Sequence, residues 1–146
     1  MPDIRSPILR RLYDYWDGKR GARRMPSRAD LDPLDITFAM GNVILADVTD
    51  DTPPRFYIRV HGTNLVERAG YELTGKMLDE LPVTEFRSLA RKSFAHVSRT
   101  GDMMHADNDR ILDGRLRRYE TIIMPLSTDG SRVDRLLIGL VYDDDR

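Results

Sequence analysis

The residues of this chain with chemistry to offer are three histidines, a scatter of serines and carboxylates, and an arginine-rich loop; cysteine is absent. Without cysteine there are no disulfides, thiolate metal sites or cysteine nucleophiles. His61, His96 and His105 stand far apart, with no second ligand at metal-binding spacing, so no metal site is readable. Ser88, Ser93 and Ser98 lack the context of a nucleophile elbow, and the glycines of GTNLVERAG and GDMMHADN match no phosphate-cradling loop. Asp107, Asp109 and Glu120 would meet only if adjacent strands brought them together. No nucleophile or base has a visible orienting partner, and the chain reads as a non-enzyme with no catalytic residue.

The arginines allow a second chemistry. Arg23, Arg24 and Arg28, in GARRMPSR, carry guanidinium forks that suit phosphate, which would make the chain a nucleotide-binding protein or an enzyme using that loop. Residues 1–30 hold eight Arg or Lys against four Asp, while the overall charge is −1 and the chain ends in Asp143-Asp144-Asp145-Arg146. The competing expectation is that the arginines cover a sheet edge and pair with Asp30, Asp32 and Asp35. The loop has no interleaved aromatics for base stacking, and the acidic end would repel a polyanion, so no nucleic-acid partner is expected.

These side chains must be positioned by a single domain, for which 146 residues with 40% apolar and 32% charged side chains are sufficient. No run reaches the ~18 apolar residues of a membrane span, and Arg5, Arg10 and Arg11 interrupt any signal-like core, so a cytoplasmic protein without membrane contact is expected. Ser6-Pro7 starts an amphipathic helix with Ile8, Leu9, Leu12, Tyr13 and Trp16 on one face. That face must dock on the domain body or on a second copy, and a homodimer through these five residues is expected. A basic loop follows to residue 30, then a short helical stretch from Asp32-Pro33 toward Phe38. Strands fit Val43–Val48 and the run from Arg55 to His61, where Phe56, Ile58 and Val60 alternate with polar residues. Thr84 to Thr100 is the clearest helix, with Phe86, Leu89, Ala90, Phe94 and Val97 on its stripe. Strands at Met103–Leu112 and Arg115–Leu126 flank Asp113-Gly114, a tight-hairpin pair, and Val133–Tyr142 is apolar enough for the centre of a sheet. The result is an α+β fold, with an antiparallel sheet and its helices segregated to one face.

Within Arg55–Leu81, RFYIRVHGTNLVERAGYELTGKMLDEL, a strand turns at Gly62 into a short helix that stops at Gly70, and the chain turns again at Thr74-Gly75. This corner and the order of elements resemble the PAS domain. More closely, LYDYWDGKRGARRMPSRADLDPLDI, VILADV, RVHGTNLVERAGYELTGKMLDEL, YETIIMPLSTDG and RVDRLLIGL, in that order, resemble the PAS_5 family of small alphaproteobacterial PAS-like proteins, formerly a domain of unknown function. The resemblance implies a PAS-like five-stranded antiparallel sheet with helices on one face, preceded by the N-terminal amphipathic helix. The expected division is residues 1–30 for helix and basic loop, 31–142 for the PAS-like domain and 143–146 for an acidic tail.

The resemblance further implies a sensory or regulatory module with a small-molecule site between sheet and helices. With no kinase, cyclase or DNA-binding segment in the sequence, the output is expected to act in trans on a signalling protein such as a histidine kinase. A ligand-free interaction adaptor is the alternative. The cofactor is left unknown: flavin-adduct and thioester-linked chromophores of PAS sensors need a cysteine, and His96, the residue a haem would use, lies at the edge of its helix stripe. Strand parity assigns the ligand site to Phe56, Ile58, Val60, Leu65, Phe86, Leu89, Ala90 and Phe94, together with Val66 and with Met104, Ile122, Ile138 or their neighbours from the last strands, where apolar residues on both faces leave the parity open.

Overall fold

In the computed structural model, residues 2–81 and 84–145 are described. Its elements are α1 (Pro7–Arg20), β1 (Val43–Val48), β2 (Phe56–His61), α2 (Thr63–Ala69), α3 (Thr84–Thr100), β3 (Met104–Leu112), β4 (Arg115–Leu126) and β5 (Arg135–Tyr142), with short 3-10 turns between them. The strands pair antiparallel in the order β2-β1-β5-β4-β3. The apolar β5 is therefore central, as its composition requires. Asp113 (φ 51°) and Gly114 (φ 74°) both take positive φ at the β3–β4 turn, the geometry a type I′ hairpin demands.

Both faces of β5, and of β4 from Tyr119 onward, are buried, because each is covered by a different layer. The N-terminal stripe covers one of them. Gly139 makes this approach possible: a Cβ there would sit 2.6 Å from a Leu9 methyl and 2.9 Å from one of Leu12. Trp16 donates its indole N–H to the Pro125 carbonyl at 3.0 Å. Leu9 and Leu12 are fully buried and Tyr13 and Trp16 nearly so, while Ile8 is partly covered. Of the five residues expected at a dimer interface, Leu9, Leu12, Tyr13 and Trp16 are thus buried within the chain itself and Ile8 is partly so.

The N-terminal segment shares the core of the sheet. Ile4, Leu9, Trp16 and Met25 share one core cluster with Ile58, Phe94 and Ile138. The start of α1 is tied to the sheet by Glu120, whose buried carboxylate accepts the backbone N–H groups of Arg5 (2.8 Å) and Ser6 (2.9 Å) and meets His105 Nε2 at 2.7 Å. Ser6 in turn caps α1, its hydroxyl accepting the Leu9 N–H. At the other end, Asp143–Asp145 forms a 3-10 turn in which Asp144 pairs with Arg68 and Arg117, at 2.7 and 3.2 Å. Arg146, the last residue of the expected tail, lies outside the described residues. The second face of the sheet carries α2 and α3.

Candidate functional site: a cavity between the sheet and α3

Which side chains of β2 face the cavity is decided by a break in its alternation. The pairing Leu45↔Val60 is followed by Ala46↔Ile58, so Arg59 is an extra residue on β2, a β-bulge. One inserted residue exchanges the faces of everything beyond it. His61, on the polar parity of the sequence, turns onto the helix-covered face opposite Ile44, and both line the cavity. Val60, expected to line it, turns instead to the other face, where it lies beside Leu31, Ile36, Leu45 and Leu137. Immediately after the bulge the chain passes so close to the preceding turn that a Cβ on Gly62 would lie 2.4 Å from the Gly41 carbonyl oxygen. α2 follows and is closed by Gly70 in the left-handed region, at φ 80°. The chain then returns along β2: Ile58 N–H donates to the Lys76 carbonyl and Gly75 N–H to the Ile58 carbonyl, both at 2.8 Å. This return places Leu73, Leu78 and Leu81 over the sheet.

The resulting cavity, of about 60 Å³, lies between these segments, α3 and the inner residues of β3, β4 and β5. Of the residues expected from parity, Ile58, Leu65, Phe86, Leu89, Ala90 and Phe94 line it, and so does Ile138. Phe56 lies outside the lining and packs edge-on against Phe94, ring centroids 5.5 Å apart. Val66 and Met104 are also outside it. Ile122 faces α1 next to Gly139, and its neighbour Ile123 lines the cavity in its place.

The polar residues of the site were missed by the parity argument, which followed apolar side chains only. Arg110, on β3, is 7% exposed and forms part of the wall. Its guanidinium donates to the Tyr142 hydroxyl at 3.2 Å and to the Tyr71 hydroxyl, and its carbon lies 3.7 Å from the centroid of the Phe86 ring. Its Nε is buried without a hydrogen-bond partner, and no carboxylate pairs with it among the described residues. A buried cation without a counter-charge is costly unless something else supplies one.

The neighbours of Arg110 add donors. Leu73 N–H donates to His61 Nδ1 at 3.0 Å, and burial, the largest influence, pushes the His61 pKa down; the ring is neutral with its proton on Nε2. Burial pushes the Tyr71 pKa up against the opposing pull of Arg110, and pushes that of Tyr119 up to about 12. The hydroxyl oxygens of Tyr71 and Tyr142 accept from Arg110, which leaves their O–H groups to donate. Chemically, this arrangement can hold and orient an acceptor group.

The other candidate residues lie elsewhere. His96 is exposed on α3, with Nδ1 3.2 Å from Arg99, and does not line the cavity. β3 and β4 do bring Asp107 opposite Glu120, but on the α1 face, where Arg5 bonds Asp107 and His105 bonds Glu120. The arginine loop is occupied internally: Arg23 pairs with Asp30 at 2.9 Å, Arg24 with Asp102 at 3.1 Å, and Arg28 donates to the Leu31 carbonyl at 3.0 Å. Among the described residues no group of three or more His, Asp or Glu is placed to hold a metal ion, and no helix is long and apolar enough to cross a membrane.

Comparison with known proteins agrees with this fold. The family PAS_5, described as a PAS domain, matches residues 4–141. No curated protein matches the sequence. Among solved structures, the chain is similar to VqmA bound to DPO (TM-score 0.56, 12% identity, covering 77% of this chain and 57% of that one). It is similar to the Vibrio cholerae VqmA dimer without target DNA (0.55, 15%, 79% and 52%). The PAS domain of Bordetella pertussis BvgS is a third such structure (0.54, 18%, 76% and 86%). The chain spans just over half the length of the VqmA chains. At these identities the likeness establishes the fold.

Proposed function

We propose, on the premise that the chain belongs to the PAS_5 family of PAS domains, that this sensory and regulatory domain holds a small molecule in its cavity and thereby sets its affinity for a signalling partner in trans. A histidine kinase is the partner class proposed. The observation that carries this reading is the lining itself: an apolar cavity into which one buried cation and a set of hydrogen-bond donors are built without an acidic counterpart. A core packed only for stability has no use for such a group. VqmA, the neighbour described as bound to DPO, supports ligand binding by analogy of fold alone. Homodimerisation, also proposed, would have to use a surface other than the α1 stripe.

The reading is tested on protein purified without added ligand. The protein is denatured, released small molecules are identified by mass spectrometry, and the same sample is compared with Ala90→Leu, which adds three carbons to the cavity wall. A molecule released in fixed proportion from the wild type and missing from Ala90→Leu is expected. An empty wild type, whose melting temperature no metabolite mixture raises, would leave the ligand-free adaptor as the better account.

A further inference from the structure

We infer that the cavity selects a small monocarboxylate with a short aliphatic body, and that Arg110 is the anchor of its carboxylate. The inference rests on the cavity being a ligand site and adds the chemistry of the ligand. Of the five N–H donors of the Arg110 guanidinium, two are accounted for by Tyr71 and Tyr142, and the Nε–H is buried and unpartnered. The aromatic ring of Phe86 against one guanidinium face holds the fork in place. Both phenol hydroxyls and His61 Nε2 contribute donors around it, so the polar side of the cavity offers hydrogens to an acceptor-only group.

Arginine recognises a planar carboxylate with paired, parallel hydrogen bonds, and here the charge of the ligand would neutralise a cation that the fold leaves without a partner. The charge count favours a monoanion. Among the described residues Arg110 is the only Lys or Arg of the lining, so a phosphate dianion would exchange one unpaired charge for another. Most of the remaining wall is apolar, with Ile58, Leu78, Leu81, Phe94 and Ile138 suited to an apolar body, while Ser93, Asn108 and Thr121 are its further polar residues. Size sets the last limit. Against the ~150 Å³ that accommodates benzene, about 60 Å³ is too small for an aromatic ring and suits an aliphatic body of about three or four carbons.

The test uses the full chain and two matched pairs of probes, isobutyrate with isobutyramide and isovalerate with isovaleramide, which differ in charge but hardly in shape. Binding is followed by amide and methyl chemical-shift titration. The acids are expected to shift Ile58, Ile123 and Ile138 and to bind at least about tenfold tighter than their amides, as charge-assisted bonds to a buried arginine require. Arg110→Met is expected to remove that preference. Should this variant not fold, Tyr71→Phe and Tyr142→Phe keep the rings and are each expected to weaken the acids by about threefold or more.

Equal binding of acids and amides, both blocked by Ala90→Leu, would overturn the carboxylate inference while the cavity reading stood. Acid binding that Arg110→Met leaves unchanged would overturn the assignment of the anchor. Absence of any shift with all four probes would overturn the proposed ligand class, and a neutral molecule released from the denatured protein would do so independently.

Discussion

Glu120 offers the sharpest test of how the N-terminal helix is held. Its side chain has no exposed surface, and it receives two backbone N–H groups from the residues that lead into α1, together with His105. Glu120→Gln keeps the shape but replaces one acceptor oxygen with an NH2 group. One of the two N–H donors, at 2.8 and 2.9 Å in the wild type, then faces another donor, and the remaining bonds lose their charge assistance. A stranded buried donor costs about 1–3 kcal/mol, and the weakened bonds bring the expected loss to about 2–4 kcal/mol. For a chain of this size that corresponds to a melting temperature lower by roughly 5–15 °C.

Urea unfolding at pH 7 measures the loss directly. Trp16 is the sole tryptophan and is buried on α1, so its fluorescence reports the docking of that helix. The pH dependence supplies a second check. Burial raises the Glu120 pKa, but the hydrogen bonds from Arg5, His105 and Ser6 together outweigh it and hold the folded-state value below the usual carboxylate range. A depressed pKa means stability present above the unfolded value of about 4.3 and lost as pH falls through the folded value. The gap between wild type and Glu120→Gln should therefore be full at pH 7 and shrink below about pH 4.3. A variant within about 0.5 kcal/mol of wild type at pH 7, or a gap that persists in acid, would refute the argument.

Two other substitutions separate the faces of the sheet. Val60→Trp should leave ligand binding and the shifts of Ile58 and Ile138 unchanged, because the bulge directs Val60 away from the cavity; overpacking against Leu31 and Ile36 should cost about 1–3 kcal/mol by urea unfolding. Loss of binding in a folded Val60→Trp protein would place Val60 in the cavity after all. Trp16→Asp should unfold or severely destabilise the monomer at every protein concentration, since it inserts a charge where a 3% exposed indole donates to Pro125. A folded, monomeric Trp16→Asp protein with near-wild-type stability would instead restore the stripe as an intermolecular contact.

Most of the secondary structure was legible because it depends on local signals. Ser6-Pro7 starts α1, Asp113-Gly114 closes the β3–β4 hairpin, and β1 and β4 occupy the expected residues. The stripe of α3 brought Phe86, Leu89, Ala90 and Phe94 to the cavity, since a regular helix preserves its periodicity along its length. Parity failed in the strands for two reasons. In β2 the extra residue at Arg59 has no signature in the alternation, so Val60 and His61 exchanged faces. In β5 and the second half of β4, covered on both sides, apolar residues occupy both faces, and Ile122 could not be told from Ile123.

The sequence by itself determined which segments are helix and strand, the β3–β4 hairpin, and the family that the chain resembles, because turns, caps and helical periodicity act between residues close along the chain. It could not assign the two faces of the sheet. That was decided by contacts between residues distant in sequence: Leu9 and Leu12 closing on Gly139, and Glu120 receiving the start of α1. The same holds for Arg110, which in the sequence is one polar residue in a charged strand. Tyr71 and Tyr142, 39 and 32 residues away, enclose it, and only that enclosure turns an ordinary arginine into a buried cation beside a cavity.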